Sequence, residues 1–256
     1  MHIVAIHGWK EETAEFVQAL AGALGITAFE ARQRLIGGGP SVVASFADPA
    51  QARALAARLH QAGIATLVVD ADEVRGRAGR LIVRRFEMGE RALRVEGGEE
   101  ERWEVPYGEV DLLLPGTNIV GETETKTVTE RTFSLGKTLL SGGIPMTKKV
   151  ERQEAVTTET REKVLYLYAG DRPQIVFRQS GMVYDGLGAT MQMSRELNFN
   201  YLVNELRRLC PAARYDDRFL SRAGQVRVLG PAQNPETHLD LAAEVLAQSL
   251  LSGRRG

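Results

Sequence analysis

Residues 193–217, MSRELNFNYLVNELRRLCPAARYDD, contain the clearest helix in the second half of the chain. Asn198 is placed to cap it. Phe199, Leu202, Val203, Leu206, Leu209 and Cys210 follow at the spacing of one helical face, and Pro211 stops it. The segments before it read differently. Residues 79–187 hold short apolar runs at 80–86, 92–95, 102–105, 107–114, 163–168, 174–178 and 182–187, separated by Gly, Pro and Asp turns. Such strands need a helix as a lid. They predict a curled, mainly antiparallel sheet closed at one end by the helix.

The first 74 residues have another rhythm. A strand at 2–6 leads to a helix at 11–24 carrying Phe16, Leu20 and Leu24, which Gly25 ends. A second helix at 28–36 is broken by Gly37-Gly38-Gly39-Pro40, and a strand follows at 41–46. The third helix has Asp48 at its cap, Pro49 at its first position and Gln51 where a capping box needs it. Ala52, Leu55, Ala56 and Leu59 form its apolar face. Gly63 closes it, and 64–69 is a strand. The order β-α-α-β-α-β predicts helices on one face of a small sheet.

The expected fold class is therefore α+β. A small α/β docking domain at 1–74 is joined by a linker at 75–79 to a β domain at 80–225, which carries a long insertion at 115–162. A tail at 226–256 follows. In it Asn234 caps and Pro235 starts a helix at 235–251, with Leu239, Ala242, Ala243, Leu246 and Leu250 along one face. That face must be buried, either on this chain or on a second copy as a homodimer.

Within residues 3–70 the Gly25-Ile26 turn, Glu30-Ala31-Arg32, Leu35-Ile36 with Pro40, Ala52 with Leu59, and the Ala62-Gly63 turn stand in a specific spacing. In that spacing the segment resembles the C-terminal domain of the bacterial ribosomal stalk protein. The resemblance implies that fold and a docking role in a bacterial protein. The family recruits translation factors through a basic helical face. Here Thr13, Gln18 and Ala21 stand where the family tends to carry Lys or Arg, and Arg32 alone matches. In order of elements, residues 78–225 resemble the pleckstrin-homology superfold, whose sheets bind lipid headgroups, peptides or partner proteins.

Composition narrows the function. A length of 256 residues favours two domains. A net charge of -1, from 32 basic and 33 acidic residues, gives no general pull toward nucleic acid. The single cysteine, Cys210, lies on an apolar helix face and reads as a small core residue. The start, MHIVAIHGWKEE, has no basic region of a signal peptide, and no run approaches a membrane span. Cytoplasm is the expected compartment.

Local motifs for chemistry fail on inspection. His7-Gly8 after an apolar strand suggests an oxyanion loop, but a nucleophile elbow needs Gly-x-Ser-x-Gly. Ser141 has Leu139 two places before it, and Ser180 has Arg178. Gly136-Lys137-Thr138 resembles the end of a phosphate loop, yet Arg131 stands where the motif requires glycine. Asp216-Asp217 reads as a helix-end turn pairing with Arg218. His2, His7, His60 and His238 are isolated in sequence. Arg84, Arg85, Arg91 and Arg94 are interleaved with Glu87, Glu90 and Glu96, as on a solvated sheet face. No catalytic, metal-binding or cofactor-binding residues are expected.

The insertion carries most of the functional content, because long connections in compact domains are usually functional or disordered. Threonines at 117, 123, 125, 127, 129 and 132 suit a β-hairpin arm. Beyond them lie the candidate contact residues Phe133, Leu135, Lys137, Leu139, Leu140, Ile144, Met146, Lys148 and Lys149, an apolar and cationic set suited to a protein partner or an anionic membrane surface. The leading expectation is a non-enzymatic binding or adaptor protein. The alternatives are an enzyme or small-ligand-binding protein with a site at the interdomain junction, and a peripheral membrane-surface sensor.

Overall fold

Strand β1 (His2–Ile6) is buried from Ile3 to Ile6 in the computed structural model, so the sheet it centres is covered on both faces. The structure describes residues 1–76, 80–98, 101–133, 147–230 and 233–252, with the side chains of 119–133 and 147–160 outside the description. It is α+β in class, as expected. Two units are distinguished: Met1–Asn118 with Glu162–Gly256, and Ile119–Arg161.

In the first unit β1 lies between β2 (Ser41–Phe46) and β3 (Thr66–Asp70) and is antiparallel to both. Val4 and Ile6 share a core with Leu20 of α1 (Ala14–Leu24), Leu35 of α2 (Ala28–Leu35) and Leu59 of α3 (Pro49–Gln61). Ile3 and Ala5, on the alternate face, join Val42 and Val69 in a different core. Local chemistry sets the helix ends. Thr13 caps α1, so the helix starts at Ala14 and not at 11. A reciprocal capping box forms at Thr27 and Glu30, and Asp48 accepts from the Ala50 amide at 2.8 Å. A short helix, α4 (Ala71–Arg75), follows β3 directly. Residues 77–79 of the expected linker lie outside the described residues.

The larger sheet has the order β11-β8-β9-β10-β4, where β4 is Arg80–Val83, β8 Val110–Phe133, β9 Thr147–Ala169, β10 Gln174–Arg178 and β11 Arg214–Tyr215. The β9–β10 pair is antiparallel, and β4–β10 and β8–β11 are parallel. Two-residue alternation divides its side chains between two cores. Leu113, Leu165, Leu167, Ile175 and Phe177 meet the antiparallel meander of β5 (Arg85–Met88), β6 (Ala92–Glu96) and β7 (Arg102–Pro106). The same core holds Phe199, Leu202 and Leu206 of α5 (Arg195–Leu209). Leu112, Leu114, Val164, Tyr166, Tyr168 and Val176 enter the core that already contains Ile3 and Ala5.

Strand β8 continues through Pro115-Gly116, where the sequence suggests an end. Proline lacks an amide hydrogen, so its place in a sheet depends on which side that hydrogen would address. The Leu113 carbonyl accepts from Asp216, and the Thr117 amide donates to Phe219. By alternation Pro115 faces the same side, between the last pair of β11 and the Gly116–Phe219 bridge, and it leaves the β9 side intact. The N-cap of α5 is Ser194, whose hydroxyl accepts from the Leu197 amide at 3.2 Å. Asn198, expected there, is buried inside the helix. Its side chain accepts from the Gln192 amide at 2.6 Å and donates to the Gln192 carbonyl at 3.1 Å.

Helix α6 (Arg222–Leu229) leads to the last helix, α7 (Pro235–Leu251). Gly230, between them, has φ of 68°, and a Cβ there would sit 2.6 Å from the Val42 carbonyl oxygen. Only glycine fits both conditions. Leu239, Leu241, Ala242, Ala243, Val245, Leu246 and Ala247 of α7 are all buried, which covers more than one face of the helix. They share one core with residues of both sheets. The apolar face of α7 is thus buried within this chain. Arg218 adds a polar tie. It forms a two-pronged pair with Asp216, at 2.9 and 2.8 Å, and donates to the Gly39 carbonyl at 3.0 Å. The Asp–Arg pairing read from sequence is present.

The second unit contains the outer stretches of β8 and β9. The stretch of β8 from Ile119 to Phe133 is extended, and at about 3.3 Å per residue it spans roughly 50 Å.

Leu246→Ala, inside the shared core, is expected to cost about 2–5 kcal/mol in urea unfolding. Removing residues 233–256 is expected to abolish the cooperative thermal transition. A truncated chain that still melts sharply would show α7 to be dispensable.

Candidate functional site

A polar stripe of α7 recurs at every fourth position, as Asp240, Glu244 and Gln248. They meet the two tyrosines that β9 directs to the same core. Tyr166 donates its phenol proton to Asp240 Oδ1 at 2.7 Å, and Tyr168 donates to Glu244 Oε2 at 3.4 Å. Gln174 donates to the Tyr168 hydroxyl, and Gln248 donates to Glu244 at 2.9 Å. Burial pushes both phenols well above their ordinary range, and the neighbouring carboxylates push them further. Both tyrosines therefore stay neutral and serve as donors.

Two cavities flank this ladder. The first, of about 190 Å³, lies at the start of α7. Val164, Tyr166 and Leu239 give it an apolar wall, and Asn118, Glu162, Arg178, Glu236, Thr237 and Asp240 give it polar groups. Asp240 is heavily engaged. Its Oδ2 pairs with Arg80, and Arg178 stands 3.8 Å from the same oxygen, too far for a hydrogen bond. Glu162 accepts from both the amide and the hydroxyl of Ser180, at Oε1 only among the described residues. Glu236 accepts from Arg222 at 3.2 Å, also at Oε1. The Arg80 Nε is buried without a hydrogen-bond partner.

The second cavity, of about 260 Å³, lies at the junction of the first 74 residues with the larger sheet. Asp70, Glu73 and Glu244 line it with Tyr168, Gln174 and Arg172. Arg172 is already paired with Glu109 at 2.5 Å. This cavity is therefore acidic, and its one cation is neutralised.

The residues singled out by sequence have different fates. Phe133 ends β8, and Lys148 and Lys149 lie in β9, with their side chains outside the description. Leu135, Lys137, Leu139, Leu140, Ile144 and Met146 lie outside the described residues altogether. His7 follows β1 in a turn with Gly8 at φ 79°, and burial lowers its pKa. Arg94 pairs with Glu87 at 3.3 Å and Glu104 at 3.6 Å on the meander, a mixed-sign surface. Among the described residues, no group of three His, Cys, Asp or Glu side chains is placed to hold a metal, and no helix is long and apolar enough to cross a membrane. Sequence reading missed Tyr166, Tyr168, Arg80, Arg178 and Asp240. The available signal was the 240/244/248 spacing, a polar stripe on a helix otherwise apolar on several sides.

Compared with protein-family models, with curated proteins and with solved structures, the chain matches none.

Burial pushes the Cys210 thiol up to about 11. The thiol is expected not to react with a disulfide reagent in the native protein at neutral pH, and to react fully after denaturation. Because the unfolded chain releases this proton first, native stability is expected to fall as pH rises from about 9 toward about 11. Tyr166→Phe removes a donor from a charged acceptor and is expected to cost about 1–3 kcal/mol in chemical denaturation.

Proposed function

We propose that this chain is a binding or adaptor protein that acts through the 117–160 segment. One observation carries the reading. Strands β8 and β9 run for 24 and 23 residues, and their outer stretches form a unit of their own, Ile119–Arg161. Typical strands have about five or six residues. A sheet of five strands with its core in residues 110–118 and 162–178 does not need the additional length. Extended strand backbone also offers amide and carbonyl groups to a partner, the basis of recognition by strand addition. The apolar and cationic residues from Phe133 to Lys149 supply the side-chain chemistry of such a contact.

A second reading, a small-ligand-binding protein, is favoured by the cavity at the start of α7. Polar groups converge there from three strands and a helix, and the Arg178 side chain makes no hydrogen bond among the described residues.

The docking reading is tested by replacing residues 119–161 with a short Gly/Ser turn. The shortened chain is expected to keep the melting temperature of the intact protein and to lose one specific partner in affinity capture. Identical capture by both chains would remove the segment from the function.

A further inference from the structure

We propose that the cavity at the start of α7 binds a small zwitterion, a molecule of amino-acid class carrying one carboxylate and one ammonium group. This rests on the small-ligand reading and is independent of docking through 117–160. Charge balance is the first argument. Three carboxylates, Asp240, Glu162 and Glu236, line the cavity with one guanidinium group, Arg178, and two further guanidinium groups balance them from behind, Arg80 paired with Asp240 and Arg222 with Glu236. A lone anion or a lone cation would upset that balance, whereas a zwitterion preserves it.

The balance is not a set of closed pairs. Asp240 already accepts from Arg80 and Tyr166, one at each oxygen, and Arg178 stands 3.8 Å from it, beyond hydrogen-bond distance. Arg178 lines the cavity, is about one-third exposed, and makes no side-chain hydrogen bond among the described residues. A carboxylate fits its planar fork in two-pronged fashion. In the same lining, Glu162 and Glu236 each accept through Oε1, and neither Oε2 holds a hydrogen bond among the described residues. Two half-used carboxylates suit an ammonium group with its three donors.

Size and wall composition set the rest. About 190 Å³ is below the roughly 300–1,000 Å³ of pockets for drug-sized ligands, which favours a small molecule. Val164, Leu239 and the ring of Tyr166 give an apolar surface against which a short side chain can lie. Tyr166 is held neutral and bonded to Asp240, and it contributes shape to the wall without adding charge.

The test is isothermal titration of the full chain with each standard L-amino acid in turn. Acetate and ethylammonium serve as probes carrying one charge each. At least one amino acid is expected to bind saturably, and neither single-charge probe is. Arg178→Gln and Glu162→Gln, at partly exposed positions, are each expected to weaken that binding about tenfold or more while leaving the melting temperature unchanged. Saturable, Arg178-dependent binding of acetate at the amino acid's affinity would overturn the zwitterion and leave a ligand site for anions. No binding of any probe by the folded chain would overturn both the zwitterion and the ligand reading.

Discussion

The body of this protein depends on burying one helix between two sheets. Each sheet is covered on its outer side, by α1–α3 in one case and by the meander with α5 in the other. Their inner faces, with Ile3, Ala5, Val42 and Val69 on one and Leu112, Leu114, Val164 and Val176 on the other, have α7 in common. Burying a Leu or Val side chain contributes roughly 1.5–3 kcal/mol. Leu239, Leu241, Val245 and Leu246 together contribute about 6–12 kcal/mol, comparable to the net stability of a typical domain. The alanines at 242, 243 and 247 are small enough to let sheet side chains approach the helix closely.

Such a helix also needs somewhere to place its polar residues. The two tyrosines of β9 solve this by receiving Asp240 and Glu244 at the edge of the core, so those half-buried carboxylates are hydrogen-bonded. The arrangement links packing to the candidate site. The stripe that fixes the rotation of α7 also brings Asp240 and Arg178 to one wall of the first cavity. A change at Tyr168 would reach the first cavity through α7, whereas Tyr166 lines that cavity itself.

Much of the fold was legible because the local chemistry agreed with it. The bounds of α7, 235–251, follow from Asn234, Pro235 and the apolar spacing, and the structure places the helix there. The three strands and three helices of the first 74 residues follow from turns and caps. Layering was harder to read. The uninterrupted apolar runs Ile3–Ile6, Leu112–Leu114 and Val164–Ala169 were the signs of sheets buried on both faces, since one-sided sheets alternate. Leu241 and Val245 carried the matching sign for α7. Pro115-Gly116 misled because a proline's cost in a strand depends on its neighbours, which a single sequence does not show. The candidate cavity was illegible for a plainer reason. Its central ion pair joins Arg80 to Asp240 across 160 positions, and no local motif spans that distance.

The place of α7 in the chain has a consequence for the order of events at the ribosome. The inner face of the first sheet is made well before the helix that covers it. At about 5–20 residues per second, roughly ten to fifty seconds separate the synthesis of β1 from that of α7. Through that interval Ile3, Ala5, Val42 and Val69 have no partner helix. The nascent chain carries an apolar sheet face throughout that interval, and the body closes only once α7 has been made.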